Sequence, residues 1–157
     1  MKIFPLIGVD DIHFKDDISL VQKKLGNIKY KIGQTSELGV KSATIHVADL
    51  GMHIVFNDKL GSVVESIEIS QGTVYFNDID LLNTEFNVVK EYFKRLDNEI
   101  KLEEDNFSSS KFGVGINCDI VDGQVSNYPT SILVFSEDYL KKEVPTVDDI
   151  IKHYLKK

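Results

Sequence analysis

The sequence predicts an α+β domain built mainly on an antiparallel sheet of meanders and hairpins, with two to three helices packed on one face. Short segments that alternate apolar and polar residues are separated by turns rich in Gly and Asp, which is typical of antiparallel strands. A few other segments carry apolar residues at helical spacing behind a capping residue. The 157 residues match the length of one ordinary domain, and no Pro/Ser linker divides them. We therefore expect a single domain spanning residues 1–157.

The clearest strand signal lies near residue 115, where Phe112, Val114, Ile116 and Cys118 share one face of a period-two pattern. The predicted strands are residues 42–48, 52–57, 62–70, 73–77, 111–118 and 131–136. The last of these is a nearly continuous apolar run, as expected of a central strand.

Turn residues join these strands into hairpins. Asp122-Gly123 is a strong two-residue hairpin signal, and Gly61 ends a predicted turn over residues 57–61. In the strand that follows this turn, the alternation places Val63, Ile67 and Ile69 inward.

Capping residues mark three predicted helices. Asp17 is an N-cap for a helix over 18–25 that Gly26 ends, and Thr84 is a cap for a second helix. A third begins after Pro145. The apolar stripe of the second helix consists of Phe86, Val89, Phe93 and Leu96.

The two halves of the sequence follow a similar order, which is compatible with a duplicated β-α-β-β unit. In each half a short β-prone entry precedes a capped helix, a polar loop (34–41 and 103–110) and then strands. The residue identities barely match, and two-layer α+β domains also produce such similarity by chance, so both explanations stay open.

Charge and composition limit the classes of partner and compartment. A net charge of −7 and a pI near 5.0 argue against nucleic-acid binding, which draws its affinity from Lys and Arg. The amino terminus lacks the apolar run of a signal peptide, and no stretch has the roughly 18 apolar residues of a membrane span. Because Cys118 is the only cysteine, we expect a cytoplasmic protein without disulfides.

No residue pattern in the sequence indicates catalysis, a cofactor or a metal site. His46 and His53 would lie directly opposite each other if Asp49-Leu50 formed a two-residue turn, but Gly51 favours a longer turn that would shift the register. Two ligands are also too few for a structural metal site. We therefore expect a binding protein rather than an enzyme.

Acidic clusters are the most prominent polar feature. Residues 95–105 hold five acids and two bases, ending in Glu103, Glu104 and Asp105, and a smaller pair is formed by Asp78 and Asp80. A cationic partner could dock on such a segment, although a solvated loop is the simpler explanation.

Three segments combine Gly with apolar and aromatic residues: IGVDDIHF at residues 7–14, which leads to Leu25-Gly26, LGMHIVF at 50–56 and ILVFSEDY at 132–139. With these segments the chain resembles small bacterial immunity proteins, which protect a cell from a toxin of the contact-dependent or polymorphic toxin systems. The resemblance implies that the chain binds and neutralises a cognate toxin, and it brings no active-site residues with it.

A nuclease-type toxin has a basic cleft, which an acidic inhibitor can cover with complementary charge. On this hypothesis the candidate toxin-binding residues are Glu103, Glu104, Asp105, Asp78 and Asp80, with Tyr75 or Tyr128 as aromatic anchors. One alternative is a small-ligand or protein-binding module in which His46, His53 and Thr44 line an exposed sheet face. Another alternative is an enzyme of unrecognised type, which would need a deep polar pocket.

Overall fold

A computed structural model of the chain describes residues 1–37, 40–57 and 62–139. The helices are α1 (Ile18–Leu25) and α2 (Phe86–Leu96). The strands are β1 (Ile3–Phe4), β2 (Gly8–Val9), β3 (Ile12–His13), β4 (Lys31–Glu37), β5 (Val40–Val47), β6 (Met52–Asn57), β7 (Val63–Ile69), β8 (Tyr75–Phe76), β9 (Ile79–Asp80), β10 (Lys101–Leu102), β11 (Asn106–Ser109), β12 (Val114–Asn117), β13 (Ile120–Val121), β14 (Gln124–Val125) and β15 (Ser131–Phe135). The predicted α+β class with a mainly antiparallel sheet is confirmed.

The main sheet has eight strands in the order β10-β11-β12-β15-β7-β6-β5-β4, and every neighbouring pair is antiparallel. Each half of the chain contributes a helix followed by four strands in sequential order. The two sets meet at the centre, where β15 pairs with β7 and Ile132 lies opposite Ile69. The predicted central strand is therefore central, and the repeated order extends over four strands in each half rather than two.

Apolar and polar residues alternate along the strands, which gives the sheet one apolar face; we call it the inner face. A row of directly opposed residues crosses it from β6 to β11: Met52, Ile69, Ile132, Ile116 and Phe107. All five are almost fully buried. Both helices place their buried residues in the same core cluster, so they cover the inner face.

The opposite, outer face is mostly polar. One row of opposed residues crosses all eight strands: Lys31, His46, His53, Glu68, Leu133, Gly115, Ser108 and Lys101. This pattern of one buried and one polar face is typical of antiparallel sheets.

The predicted N-cap of α1 is confirmed, whereas the predicted N-cap of α2 is wrong. The Asp17 carboxylate accepts a hydrogen bond from the Leu20 N–H at 2.8 Å, and Gly26 follows the helix with a φ of 57°. The N-cap of α2 is Glu85, and no side chain caps this helix. The Phe86 N–H instead donates to the Asn127 carbonyl at 2.8 Å, so a distant loop replaces the predicted Thr84 cap.

A β-bulge changes which residues of β7 lie on its buried side, compared with the prediction. Ile67 and Ile69 are buried as expected, but the register between β6 and β7 shifts between Val55 and Phe56. The extra residue moves Val64, rather than Val63, onto the buried side opposite Phe56.

Other predicted boundaries change as well. Within the predicted loop 34–41, the described residues 34–37 and 40–41 belong to the paired strands β4 and β5, so the loop prediction is wrong for them. The strand predicted over 111–118 is shorter and spans Val114–Asn117. The third predicted helix and most of the predicted turn over 57–61 lie outside the described residues.

Candidate protein-interaction site

The acidic turn of Glu103, Glu104 and Asp105 connects β10 to β11 at one end of the sheet. The Glu103 N–H donates to the Asn106 carbonyl at 2.9 Å, which closes the turn. The Asn106 amide donates to the carboxylates of Glu103 at 2.8 Å and Asp105 at 3.0 Å. Glu103 and Glu104 are exposed, so the turn presents negative charge in a fixed backbone conformation.

Cys118 connects this turn to the loop that carries Tyr128. The Cys118 N–H donates to the Asp105 carbonyl at 2.8 Å, and its thiol contacts the Tyr128 carbonyl at 3.6 Å. Ser126 also donates to that carbonyl, at 2.8 Å. Tyr128 is 50% exposed, and its carbonyl is linked through Cys118 to the Asp105 carbonyl of the acidic turn. The structure therefore brings together four of the seven sequence-predicted binding residues.

A small hairpin stands beside them. It consists of β13 and β14, joined by Asp122 and Gly123, both of which have positive φ values, of 52° and 77°. Positive φ at both central residues is the geometry of a type I′ turn, and the two-residue hairpin turn predicted from the sequence is confirmed. Ile120 and Val121 are 54% and 60% exposed. The hairpin thus adds apolar surface to an acidic region.

We call this region the sheet-end surface. It consists of Glu103, Glu104, Asp105, Asp119, Ile120, Val121, Asp122 and Tyr128. Sequence reasoning missed Asp119, Ile120, Val121 and Asp122 as candidate binding residues. The signal that could have found them is the adjacent Ile120 and Val121 in a polar connection with its own Asp-Gly turn.

Helix α2 separates the remaining candidates from the sheet-end surface. Its first residue, Phe86, bonds to Asn127, which precedes Tyr128. Near its other end, Phe93 packs against Phe76 of β8. An 11-residue helix is about 16 Å long, and the β8–β9 hairpin, which carries Tyr75, Asp78 and Asp80, packs against its second half through Phe76 and through the hydrogen bond from the Asn77 amide to the Tyr92 hydroxyl.

Asp80 has a structural role within this hairpin. Its carboxylate accepts hydrogen bonds from the Val74 N–H at 3.2 Å and from the Asn83 amide at 2.7 Å. Tyr75 is directly opposite Asp80 in the β8–β9 hairpin and is 44% exposed, and Asp78 is exposed in the turn. The seven predicted residues therefore form two separate groups.

On the outer face, His46 and His53 are directly opposite each other, with ring centroids 6.1 Å apart. The β5–β6 connection spans residues 48–51 and is longer than a two-residue turn, as Gly51 indicated. It adds one residue before and one after Asp49-Leu50, so His46 still pairs with His53 as it would around a two-residue turn. The expected register shift is therefore wrong. The two rings line an open depression of about 350 Å³ together with Gly51, Glu68 and Ser70. Thr44, the third residue of that hypothesis, is buried outside this lining.

Reactive groups are few in the described part of the chain. Burial raises the pKa of the Cys118 thiol, and the nearby carboxylates of Asp105 and Asp119 raise it further, against a hydrogen bond with Ser126 that lowers it. A thiol held in its protonated form is a poor nucleophile. Across residues 1–37, 40–57 and 62–139, no three His, Cys, Asp or Glu side chains are grouped so that they could hold a metal ion.

Neither helix among the described residues has the length and apolar character needed to cross a membrane. Comparison with known proteins found no matching family model, no matching curated protein and no matching solved structure.

Proposed function

We propose that this chain is an immunity protein that binds a cognate basic toxin in the cytoplasm and neutralises it by covering the toxin's active site. The observation that carries the proposal is the sheet-end surface, where three consecutive acids lie beside an exposed tyrosine and an exposed apolar hairpin. Protein interfaces with high affinity combine a few apolar or aromatic anchors with a polar rim. The resemblance of three segments to immunity proteins points the same way.

The charge of this surface fits a nuclease-type toxin. Such a toxin must present cationic side chains to bind phosphates, and carboxylates held on a fixed turn can take the place of the phosphates. Complementary charge also accelerates encounter, which matters for an inhibitor that must reach its target before damage occurs. The net charge of −7 for the whole chain adds to this steering.

The geometry divides the seven candidate residues by role. Glu103, Glu104, Asp105 and Tyr128 form the proposed contact, because they are adjacent on one surface. The remaining three, Tyr75, Asp78 and Asp80, belong to the β8–β9 hairpin, which packs against the second half of α2. They become a proposed second contact for a partner that reaches along α2.

The first test is co-purification. The tagged chain is expressed together with the product of the gene immediately upstream, and the mixture is eluted at moderate salt. A stable complex is expected, and the upstream product is expected to kill cells when expressed alone and to be harmless with this chain. Absence of any complex together with a harmless neighbour would exclude the proposal.

A second candidate function is small-ligand binding on the outer face. It is favoured by one observation, the direct opposition of His46 and His53 in a depression whose volume is within the range of ligand pockets. Titration of both histidines by NMR, with and without candidate ligands, tests it. A ligand at this site would change the chemical shifts of both imidazoles together and leave His13, which is exposed on β3, unchanged.

A further inference from the structure

The two edges of the main sheet differ in length. At one edge β10 has two residues, and at the other edge β4 has seven. Alternate residues of an edge strand direct their backbone N–H and C=O groups away from the sheet, so a long edge strand can pair with a further strand. Within the part of the chain that the structure describes, β5 is the only strand that pairs with β4. Among these residues, the β4 edge is therefore open to a further strand.

Strand β4 also lacks the features that usually protect an exposed edge. Proteins protect such edges by keeping them short, or with a Pro, a bulge or charged residues within the strand. The sequence of β4 is KIGQTSE, which has no Pro and carries charge only at its first and last residues. Its register with β5 runs without a shift from the pair of Lys31 and His46 to the pair of Glu37 and Val40. The edge is thus regular as well as long.

The apolar inner face of the sheet extends to this edge. Ile32 is directly opposite Ile45, and the same row continues through Ile54 and Ile67. The other three residues of the row are fully buried, whereas Ile32, on the last strand, is 57% exposed. A further strand beside β4 would cover part of this apolar surface, which is favourable in water.

The charged residues of β4 are complementary to those of a second copy. In an antiparallel pairing centred on Gln34, all seven residues of each copy are paired, and Lys31 of one copy is directly opposite Glu37 of the other. The same pair recurs at the other end, because the pairing has two-fold symmetry. Opposite charges on facing residues stabilise a strand pair, and like charges destabilise it. The order of charges along β4 therefore favours this register.

The rest of the sheet is compatible with an assembly of two copies. Once β4 is paired, the outer edge of each copy is the two-residue strand β10, so the assembly closes as a pair. The acidic turn follows β10, seven strand spacings or about 34 Å away from β4 across the sheet. A pairing through β4 therefore leaves both sheet-end surfaces accessible.

We infer that two copies of this chain pair antiparallel through β4, centred on Gln34, and form a dimer in which the two eight-stranded sheets become one continuous sheet. This inference does not depend on the proposed function, because it concerns the opposite edge of the sheet and its test needs no other protein.

Sedimentation velocity of the full chain tests the dimer. A pair of seven-residue strands is a small interface, so we expect a reversible dimer that appears as the concentration rises from about 5 to about 500 µM. Lys31→Glu places negatively charged residues opposite each other at both ends of the interface. It is expected to raise the dissociation constant of the dimer roughly tenfold at low salt. Adding Glu37→Lys to this variant makes the facing charges opposite again, and the dissociation constant is expected to return to within about threefold of that of the unchanged chain.

Lys101→Glu is the matched control, since it makes the same change of charge at an exposed residue of the opposite edge strand, β10. This variant is expected to dimerise like the unchanged chain. Circular dichroism spectra verify that the substitutions leave the fold intact.

Three results would contradict the inference. A monomer mass that stays constant up to about 500 µM would exclude the dimer, since even weak specific interfaces associate in this range. Equal weakening by Lys31→Glu and Lys101→Glu would show that net charge, rather than pairing through β4, governs association. A double variant that dimerises as weakly as Lys31→Glu alone would exclude the register centred on Gln34.

Discussion

The backbone N–H of Cys118 donates to the carbonyl of Asp105 over 2.8 Å. This bond continues the β11–β12 pairing by one residue and attaches the end of the acidic turn to the end of β12. Because the Cys118 thiol also contacts the Tyr128 carbonyl, one buried residue contacts both the turn and the backbone of the tyrosine. The arrangement of the acidic turn and Tyr128 therefore depends on the packing of the core beneath them.

The Cys118 thiol should make the stability of the protein sensitive to alkaline pH. Burial raises the pKa of this thiol in the folded chain, whereas in the unfolded chain it ionises near its ordinary value of about 8.5. The stabilising contribution is thus complete below about pH 8.5 and is lost as the pH rises towards the folded pKa. Urea unfolding at pH 7 and pH 9.5 should show a larger loss of stability for the unchanged chain than for Cys118→Ala. An equal loss for both chains would mean that the thiol does not contribute.

Removing the acidic turn should slow association with the basic partner. The triple substitution of Glu103, Glu104 and Asp105 by Ser is expected to lower the association rate constant roughly tenfold at low salt and to flatten its dependence on ionic strength. Stopped-flow mixing with the upstream gene product at several salt concentrations measures both quantities.

A charge-matched control distinguishes the turn from the overall charge. Substitution of Asp11, Asp49 and Glu99 by Ser removes the same charge from exposed positions outside the sheet-end surface and outside the proposed second contact. This variant should keep most of the salt dependence. Equal effects of the two triple variants would show that net charge, rather than the turn, steers the encounter.

Phe93 should be one of the most important residues for stability. It is fully buried, and its ring packs against Phe76, Phe107 and Phe112. Phe93→Ala removes these contacts and leaves a cavity, so we expect the free energy of unfolding to fall by about 3–5 kcal/mol. Val88→Ala on the same helix, at a residue 51% exposed, should change it by less than about 0.5 kcal/mol. Urea denaturation of both variants compares them, and a similar loss for both would contradict the described packing of α2.

Two glycines with positive φ should differ in their tolerance of alanine. Gly113 and Gly123 have φ values of 64° and 77°, so each Ala variant bears the cost of left-handed backbone, about 1–2 kcal/mol. A Cβ at Gly113 would also overlap the Phe135 carbonyl oxygen, next to the 2.8 Å hydrogen bond from the Phe135 N–H to the Gly113 carbonyl. Gly113→Ala should therefore lower the free energy of unfolding by roughly 2 kcal/mol more than Gly123→Ala does, as measured by urea denaturation. Equal losses of stability in the two variants would mean that the backbone at Gly113 and the backbone at Phe135 can move apart without a cost in free energy.

Local sequence signals predicted the elements whose stabilising contacts are close in the chain. Asp17 and Gly26 mark the two ends of α1 as predicted, because capping is an interaction over three or four residues. Asp122-Gly123 forms the predicted hairpin turn for the same reason. The bulge at Glu65 and the distant partner of Phe86 could not be predicted, since both depend on residues from other parts of the chain.

The candidate site was only partly predictable. The acidity of residues 103–105 is a property of the sequence, but their proximity to Tyr128 arises from the pairing of β11 with β12. Asp80 looked like a surface acid, and only the folded hairpin directs its carboxylate to Val74 and Asn83.

The sequence by itself determined the α+β class, the apolar face of each main strand and the acidic character of the chain, because these follow from periodicity and composition. Only the tertiary structure decided that the fourth strands of the two halves meet at the centre of the sheet, and that the acidic turn, Tyr128 and the exposed hairpin share one end of it. Strand order depends on which apolar faces and backbone edges pair at long range, and the energies of those pairings are set by three-dimensional packing rather than by any local pattern.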